Sequence, residues 1–139
     1  MGNGYEIIDH TADSAIRVWG RDYEELVRQA ARGMIAVMVD TEGLQASKTA
    51  RVHAEAPDRE ILLHHLLAEL LHLVEDDGLV PVGVSEVDVE GTSGAVEVDV
   101  LDLEQARDHL LGVLKAVTYH GLDIRETGSG VETVITFDM

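Results

Sequence analysis

The stretch IIDHTADSAI, residues 7–16, is the first place where the sequence could carry chemistry. Polar side chains interrupt an apolar run there, namely Asp9, His10, Thr11 and Asp13. Carboxylates and an imidazole so close together are groups that bind cations or transfer protons. Because such groups are costly to bury unpaired, we expect a break between two strands at this point. A small hydrolase would have to be built around Asp9, His10 and Asp13, but no nucleophile accompanies them.

A second set of oxygen atoms is expected at the other end of the chain. Asp138 is the penultimate residue, after the apolar VITF, and we expect Met139 to supply a free α-carboxylate. If these groups meet Asp13, three or more oxygens converge, and oxygen ligands of that kind favour Ca²⁺ or Mg²⁺ over zinc. The alternative is that Asp13 caps a turn and Asp138 is a solvated terminus.

The stretch KAVTYH, residues 115–120, is a further candidate. Lys115 is one of two lysines in the chain, and we expect it to lie in an otherwise apolar strand. Such a lysine can pair with a buried carboxylate or contact an acidic ligand. The alternative is an ordinary lysine on the solvent side of the strand, followed by ordinary strand-end residues.

A helix-period pattern gives a weaker metal candidate. His65, Glu69 and His72 share one face of a predicted helix, a spacing that can hold a metal ion. The pattern is not HExxH and brings no fourth ligand, so a solvated helix face is the favoured interpretation. The glycine groups GTSG and TGSG lack the lysine and the spacing of a phosphate-binding P-loop, and no Ser-His-Asp pattern is visible.

The charge of the chain limits what it can bind. It has 27 acidic and 10 basic residues, a formal net charge of -17. Such a surface repels phosphate backbones, so we expect little direct nucleic-acid binding. A basic protein or a cation suits it better, although the charge can also serve only to keep the protein in solution. The charge is also the basis of an alternative hypothesis, a general chaperone or acidic protein-binding module.

Length and composition indicate a single domain, residues 1–139. A domain of this length can bury roughly 68–70% of its unfolded surface. The absence of cysteine excludes disulfides, zinc–thiolate sites and thiol nucleophiles. The stretch MGNGYE has no signal-peptide pattern, and no apolar run approaches the roughly 18 residues of a membrane helix. We therefore expect a cytoplasmic protein.

Two helices are predicted to position these candidates. The first follows Asp22, which can cap it, with Glu25 three residues later to complete a capping box. Gly33 within this helix is unfavourable and predicts close approach by another element. The second begins at Asp58 and ends at Gly78. A wide apolar stripe marks its buried face: Leu62, Leu63, Leu66, Leu70, Leu73 and Val74.

Short strands are predicted at residues 5–8, 14–18 and 50–55. From residue 82 onward the apolar period becomes two, which predicts a hairpin with alternate valines buried: Val87, Val89, Val96, Val98 and Val100. Three more strands are expected in GVLKAVTYH, LDIRE and VETVITFDM, after a loop or short helix at 102–109. This order predicts an α+β fold, a mostly antiparallel sheet with two main helices packed on it.

Taken in order, these stretches resemble the archease family over nearly the whole chain. The similarity covers YEIIDHTADSAIRV at the start, YEELVRQAARGMIAVM and ILLHHLLAELLHLVE in the predicted helices, then LKAVTYHGLDI and the final ITFDM. The combination of DHTAD, KAVTYH and a chain ending in FD-x is specific, whereas no single stretch is.

The resemblance implies a protein that is not itself an enzyme but assists an RNA ligase of the tRNA-splicing type. Members of the family promote guanylylation of the ligase and let it turn over repeatedly. The resemblance also implies a cation, typically Ca²⁺ with Mg²⁺ or another divalent ion as the alternative, at the protein tip. Its implied ligands are Asp13, Asp138 and Met139. The functionally important lysine of the family matches Lys115.

The chain departs from the family pattern in several stretches, two of which concern the start of the chain and the second helix. Ser14 and Ala15 follow HTAD where the family often has Ile or Val with Gly. His64 and His65 replace residues that are more often apolar or aromatic in the second helix. These departures bear on partner contacts and leave the implied ligands and the lysine in place.

Overall fold

Two antiparallel β-sheets and two main helices make up the computed structural model, which describes residues 2–9, 14–119 and 122–139. Along the chain, the elements are β1 (Gly4–Asp9), β2 (Ser14–Gly20), α1 (Tyr23–Met38), β3 (Lys48–Glu55), α2 (Arg59–Asp77), β4 (Leu79–Glu90), β5 (Ser93–Asp102), α3 (Leu103–Ala106), β6 (Ala116–Val117), β7 (Arg125–Thr127) and β8 (Gly130–Asp138). A short 3₁₀ turn, Arg107–His109, follows α3.

The strands form one five-stranded and one three-stranded sheet. The larger sheet has the order β1-β2-β8-β6, with β7 also paired to β8, and the smaller has the order β3-β5-β4. Both α1 and α2 contact strands of both sheets, so the helices join the two sheets around one core. The α+β prediction is confirmed, with the difference that the strands divide into two sheets.

Helix α1 begins where its capping residues predict. Asp22 Oδ1 accepts a hydrogen bond from the Glu25 backbone N–H at 2.9 Å. The Glu25 carboxylate reaches one residue further back than in a capping box, because it accepts from the backbone N–H of Arg21 at 2.9 Å. Hydrogen bonds from the side chain and backbone of Arg21 lower the pKa of Glu25 to about 2.

The predicted close approach at Gly33 is confirmed. A Cβ atom added to this residue would lie 2.7 Å from Ile16 Cδ1 and 3.3 Å from Tyr5 Cβ. Ile16 belongs to β2, and its side chain is fully buried where the five-stranded sheet packs against α1. Glycine therefore lets α1 pack directly against β1 and β2, which offsets its low helix propensity.

Helix α2 is closed at both ends and buries the predicted leucine stripe. Asp58 Oδ1 accepts from the Ile61 backbone N–H at 2.8 Å, and Gly78 ends the helix with φ of 64°. The stripe lies against valines on the inner face of β5, Val96, Val98 and Val100, which are fully buried.

The strand predicted over GVLKAVTYH is wrong for most of its length. Among the described residues of this stretch, 112–119, only Ala116 and Val117 pair, opposite Asp138 and Phe137 of β8. Because β8 ends at Asp138, residues 112–115 have no strand to pair with in the described part of the chain. Residues 112–115 therefore carry a strand-like apolar pattern without forming a strand, and Leu111 and Val113 are exposed.

Candidate functional site

The strand register brings distant parts of the chain to one end of the five-stranded sheet. Ser14, the first residue of β2, lies opposite both Asp9 of β1 and Phe137 of β8. We call this end the tip and define it by Asp9, Ser14, Lys115, Asp138 and Met139.

The end of β8 is held firmly, as its apolar sequence predicts. Phe137 is fully buried, and the next residue, Asp138, is exposed. The Asp138 backbone oxygen accepts a hydrogen bond from the Lys115 N–H at 2.8 Å. The carboxylate of Asp138 is thus carried on an anchored backbone and faces solvent, an arrangement suited to binding a cation.

Met139 lies beside the loop that leads into β6. A Cβ atom on Gly112 would be 2.9 Å from Met139 Cε, so glycine at this position makes room for the methionine. The Met139 side chain stays 41% exposed. The loop that contains Gly112 is therefore in direct contact with Met139 at the tip.

Lys115 lies at the tip, immediately before β6 rather than within a strand. Its backbone N–H donates to the Asp138 backbone oxygen, and its side chain is exposed. Within residues 2–9, 14–119 and 122–139, no carboxylate forms an ion pair with it. This leaves the ammonium group available for an acidic group outside the described structure.

The predictions for Asp13, His10, Thr11 and His120 fall outside the described residues. Among the residues that the structure does describe, no group of three or more His, Cys, Asp or Glu side chains is arranged to hold a metal ion. Asp138 and Met139 therefore supply at most part of a ligand set, and Asp13 as their partner stays a prediction.

The histidine face of α2 forms no such group in the described part of the chain either. His65, Glu69 and His72 line a shallow groove together with His53 of β3. His72 Nδ1 lies 3.7 Å from Glu69 Oε2, and both side chains are about half exposed. His65 Nε2 is instead 3.3 Å from the Tyr119 hydroxyl. The interpretation of a solvated helix face agrees with these contacts.

A cleft at the opposite end of the five-stranded sheet was not expected from the sequence. It has a volume of about 230 Å³ and lies between Trp19 of β2 and the β7–β8 hairpin. Arg17 lines it together with Glu6 and Glu132, so its charged groups nearly balance. The described lining of the cleft combines the Trp19 ring with groups of both charges, and none of its side chains is a nucleophile hydrogen-bonded to a base.

The sequence also gave no signal for a contact between α2 and β6. His64 Nε2 lies 2.7 Å from the Val117 backbone oxygen. The His64 ring stacks on Tyr119 with centroids 3.7 Å apart and planes at 11°. Burial lowers the pKa of His64, which favours the neutral imidazole. The contact joins residues 53 positions apart, a distance over which local patterns carry no information.

No helix among the described residues is long and apolar enough to cross a membrane. This finding agrees with the broken apolar runs of α2, where histidine and glutamate interrupt the leucines.

Comparison with known families gives a match over nearly the whole chain. Residues 5–139 match the model of the Archease protein family (MTH1598/TM1083). The chain is 30% identical over 143 residues to protein archease of Methanosarcina barkeri, covering all of this chain and 98% of the relative. It is 34% identical over 131 residues to protein archease of Danio rerio, covering 88% and 78%.

Two solved structures share the fold. The solution structure of Methanobacterium thermoautotrophicum protein 1598 superimposes with a TM-score of 0.77 at 27% identity, covering 98% of this chain and 99% of that one. A Thermotoga maritima crystal structure, described as an archease and possible chaperone, gives a TM-score of 0.65 at 22% identity, covering 96% of each chain. The second likeness extends to the fold alone.

Proposed function

The chain belongs to the archease family, and we propose on that premise that it activates an RNA ligase of the tRNA-splicing type. In this proposal it promotes guanylylation of the ligase and repeated turnover, and it contributes no catalytic group of its own. The observation that carries the proposal is the tip, where the strand register places Lys115 beside Asp138 and Met139.

A divalent cation at the tip is part of the proposal. Asp138 and the α-carboxylate of Met139 would hold it together with Asp13, which immediately precedes Ser14 in the sequence. Ser14 pairs with Phe137, the residue before Asp138, and this register supports the choice of ligands. Because the donors are all oxygen atoms, they suit Ca²⁺, with Mg²⁺ as the alternative.

Lys115 is proposed to act on the partner. Its exposed ammonium group would contact the ligase or the nucleotide bound to it. The net charge of -17 supports the choice of partner, because a ligase that binds RNA needs a basic surface. An acidic activator would be steered towards such a surface.

The first test is a ligation assay with about a tenfold excess of RNA ends over ligase, so that joining most ends needs many turnovers. We expect the wild-type protein to convert a single round of joining into many. Asp138→Ala should abolish this stimulation and leave the fold nearly intact, because the residue is exposed at the end of β8. Stimulation that survives Asp138→Ala would rule out the cation site.

A matched control for this variant is Asp77→Ala, at the exposed C-terminal end of α2. His65 of α2 contacts Tyr119, close after Lys115 in the sequence. Asp77 lies 12 positions further along the same helix, about 18 Å from that contact. The Asp77→Ala variant removes the same charge as Asp138→Ala. A loss of ligase stimulation in both variants would therefore be an effect of the overall charge. Circular dichroism of both variants checks that they are folded.

A second candidate function is a general chaperone or acidic protein-binding module. The high negative charge favours it. This function predicts that the protein protects unrelated unfolding proteins from aggregation and that chelating Ca²⁺ makes no difference. Protection without any effect on the ligase would favour it over the activator.

A further inference from the structure

The segment that carries Lys115 is weakly held by its own sheet. Strand β6 has two residues and, in the described part of the chain, pairs with β8 alone. Two backbone hydrogen bonds flank it, from Lys115 N–H to Asp138 O at 2.8 Å and from Thr118 N–H to Thr136 O at 2.9 Å. A strand of this length needs support from outside the sheet to keep one position.

His64 supplies that support from helix α2. Among the described strands β6 lies at the edge of the sheet, so on one side none of them donates to its carbonyls. On that side His64 Nε2 lies 2.7 Å from the Val117 oxygen. The ring also stacks on Tyr119, two residues later, at 3.7 Å between centroids. One side chain therefore contacts both the strand and Tyr119, the second residue after it.

The hydrogen bond fixes which ring nitrogen carries the proton. A backbone oxygen only accepts, so Nε2 is the donor and Nδ1 is left as an unprotonated acceptor. The Nδ1 atom is buried and has no hydrogen-bond partner among the residues described. A buried acceptor without a partner is unfavourable, so this ring is held in place by its other contacts rather than by that nitrogen.

We propose that His64 is a positioning residue, which clamps β6 to α2 and thereby holds Lys115 at the tip. The effect of the clamp on the backbone is independent of any ligase. Its effect on stimulation rests on the function proposed above, because Lys115 acts there on the partner.

Two variants separate the parts of the clamp. His64→Phe keeps a ring to stack on Tyr119 and removes the donor to Val117. His64→Gln removes the ring and keeps an N–H donor the same number of bonds from Cα. The matched control is His72→Gln on the same helix, where the side chain is 54% exposed and 3.7 Å from Glu69.

The measurement is amide hydrogen exchange in the free protein. In His64→Phe we expect the amides of Lys115 and Thr118 to exchange about three- to tenfold faster, the effect of losing one buried hydrogen bond. The Val98 amide of β5 should keep its wild-type rate. His64→Gln should show a smaller increase at the same two amides, and His72→Gln none.

Two results would overturn the proposal. Unchanged exchange at Lys115 and Thr118 in His64→Phe would show that β6 keeps its position without the hydrogen bond from His64. An equal increase at Val98 would show that His64 packs the whole core rather than clamping β6.

The ligase assay then links the clamp to function. Stimulation by His64→Phe should lie between that of wild type and Lys115→Ala, and His64→Gln should lie closer to wild type because it retains the donor. Wild type that fails to stimulate would overturn the proposed function and leave the exchange result standing. Full stimulation by His64→Phe, despite faster exchange, would overturn the positioning role of His64.

Discussion

At the scale of single residues, Lys115 differs from the other lysine of the chain in its surroundings. Lys48 Nζ lies 2.9 Å from Asp102 Oδ1 in a half-exposed ion pair. Lys115 has no such partner within the described ranges, although it lies next to the acidic residue Asp138. The first lysine therefore neutralises a neighbour, and the second presents its charge outwards.

This contrast gives a paired prediction. Lys115→Ala should lower ligase stimulation by about thirtyfold or more, because removing one partner of a desolvated charge contact costs about 2 kcal/mol or more. Lys48→Ala should leave stimulation unchanged, since an exposed ion pair contributes little. Stimulation is measured by ligation, and Ca²⁺ binding by calorimetry. Loss of Ca²⁺ binding in Lys115→Ala would instead give the lysine a structural role at the tip.

At the scale of elements, the N-terminus of α1 depends on a charge pair that acid removes. The Arg21 side chain and backbone both donate to the Glu25 carboxylate, which lies in the first turn of the helix. A carboxylate there is also favoured by the helix dipole. The pKa of Glu25 is about 2 in the folded protein, below its ordinary 4.5.

The lowered pKa fixes the direction of a pH effect. A carboxylate whose pKa is lower in the folded than in the unfolded protein stabilises the fold at pH values above its unfolded pKa. This contribution to stability disappears as the pH falls from about 4.5 towards 2. Glu25→Gln should therefore be less stable than wild type at neutral pH, and the difference should shrink over that range. Thermal unfolding at several pH values measures it.

The control for this prediction is Glu24→Gln, an exposed carboxylate in the same turn. Its stability difference from wild type should change less between neutral and acidic pH. A Glu25→Gln difference that is constant with pH would mean that packing, and not charge, holds this end of the helix.

Helices were the most predictable elements because their signals are local. Asp22, Asp58 and Gly78 cap helices where the sequence indicates, since a cap needs residues within one turn. The strand around Lys115 was predicted too long because its apolar pattern says nothing about where its partner ends. The division into two sheets escaped prediction for the same reason: pairing is decided between residues far apart.

The candidate site followed a similar pattern. Residue types in the sequence pointed to Asp138 and Lys115, and the family resemblance implied a cation ligand at the first and a partner-activating residue at the second. The backbone contact between them comes from the register of β6 and β8, which the sequence alone does not specify. His64 was not expected at all, because it lies within a leucine-rich stretch and its role depends on a strand 53 positions away.

At the scale of the whole molecule, the net charge of -17 should govern encounter with the ligase. Raising the salt concentration from about 0.05 M to about 0.5 M shortens the screening length to a few ångströms. We expect the association rate to fall by about tenfold or more, and the dissociation rate to change little. Stopped-flow mixing with the ligase measures both. A rate that is independent of salt would contradict a basic docking surface on the partner.

The position of β8 has a consequence for synthesis of the protein. This strand lies in the interior of the five-stranded sheet, yet it is translated after every other element described here. At bacterial or eukaryotic elongation speeds, β2 leaves the peptidyl-transferase centre roughly 5–20 s before β8 does. During that interval the β1–β2 hairpin has an open edge and is a target for chaperones or premature pairing. A nascent chain that has not yet reached β8 therefore lacks Asp138 and the rest of the tip, and under the proposed function it should not stimulate the ligase.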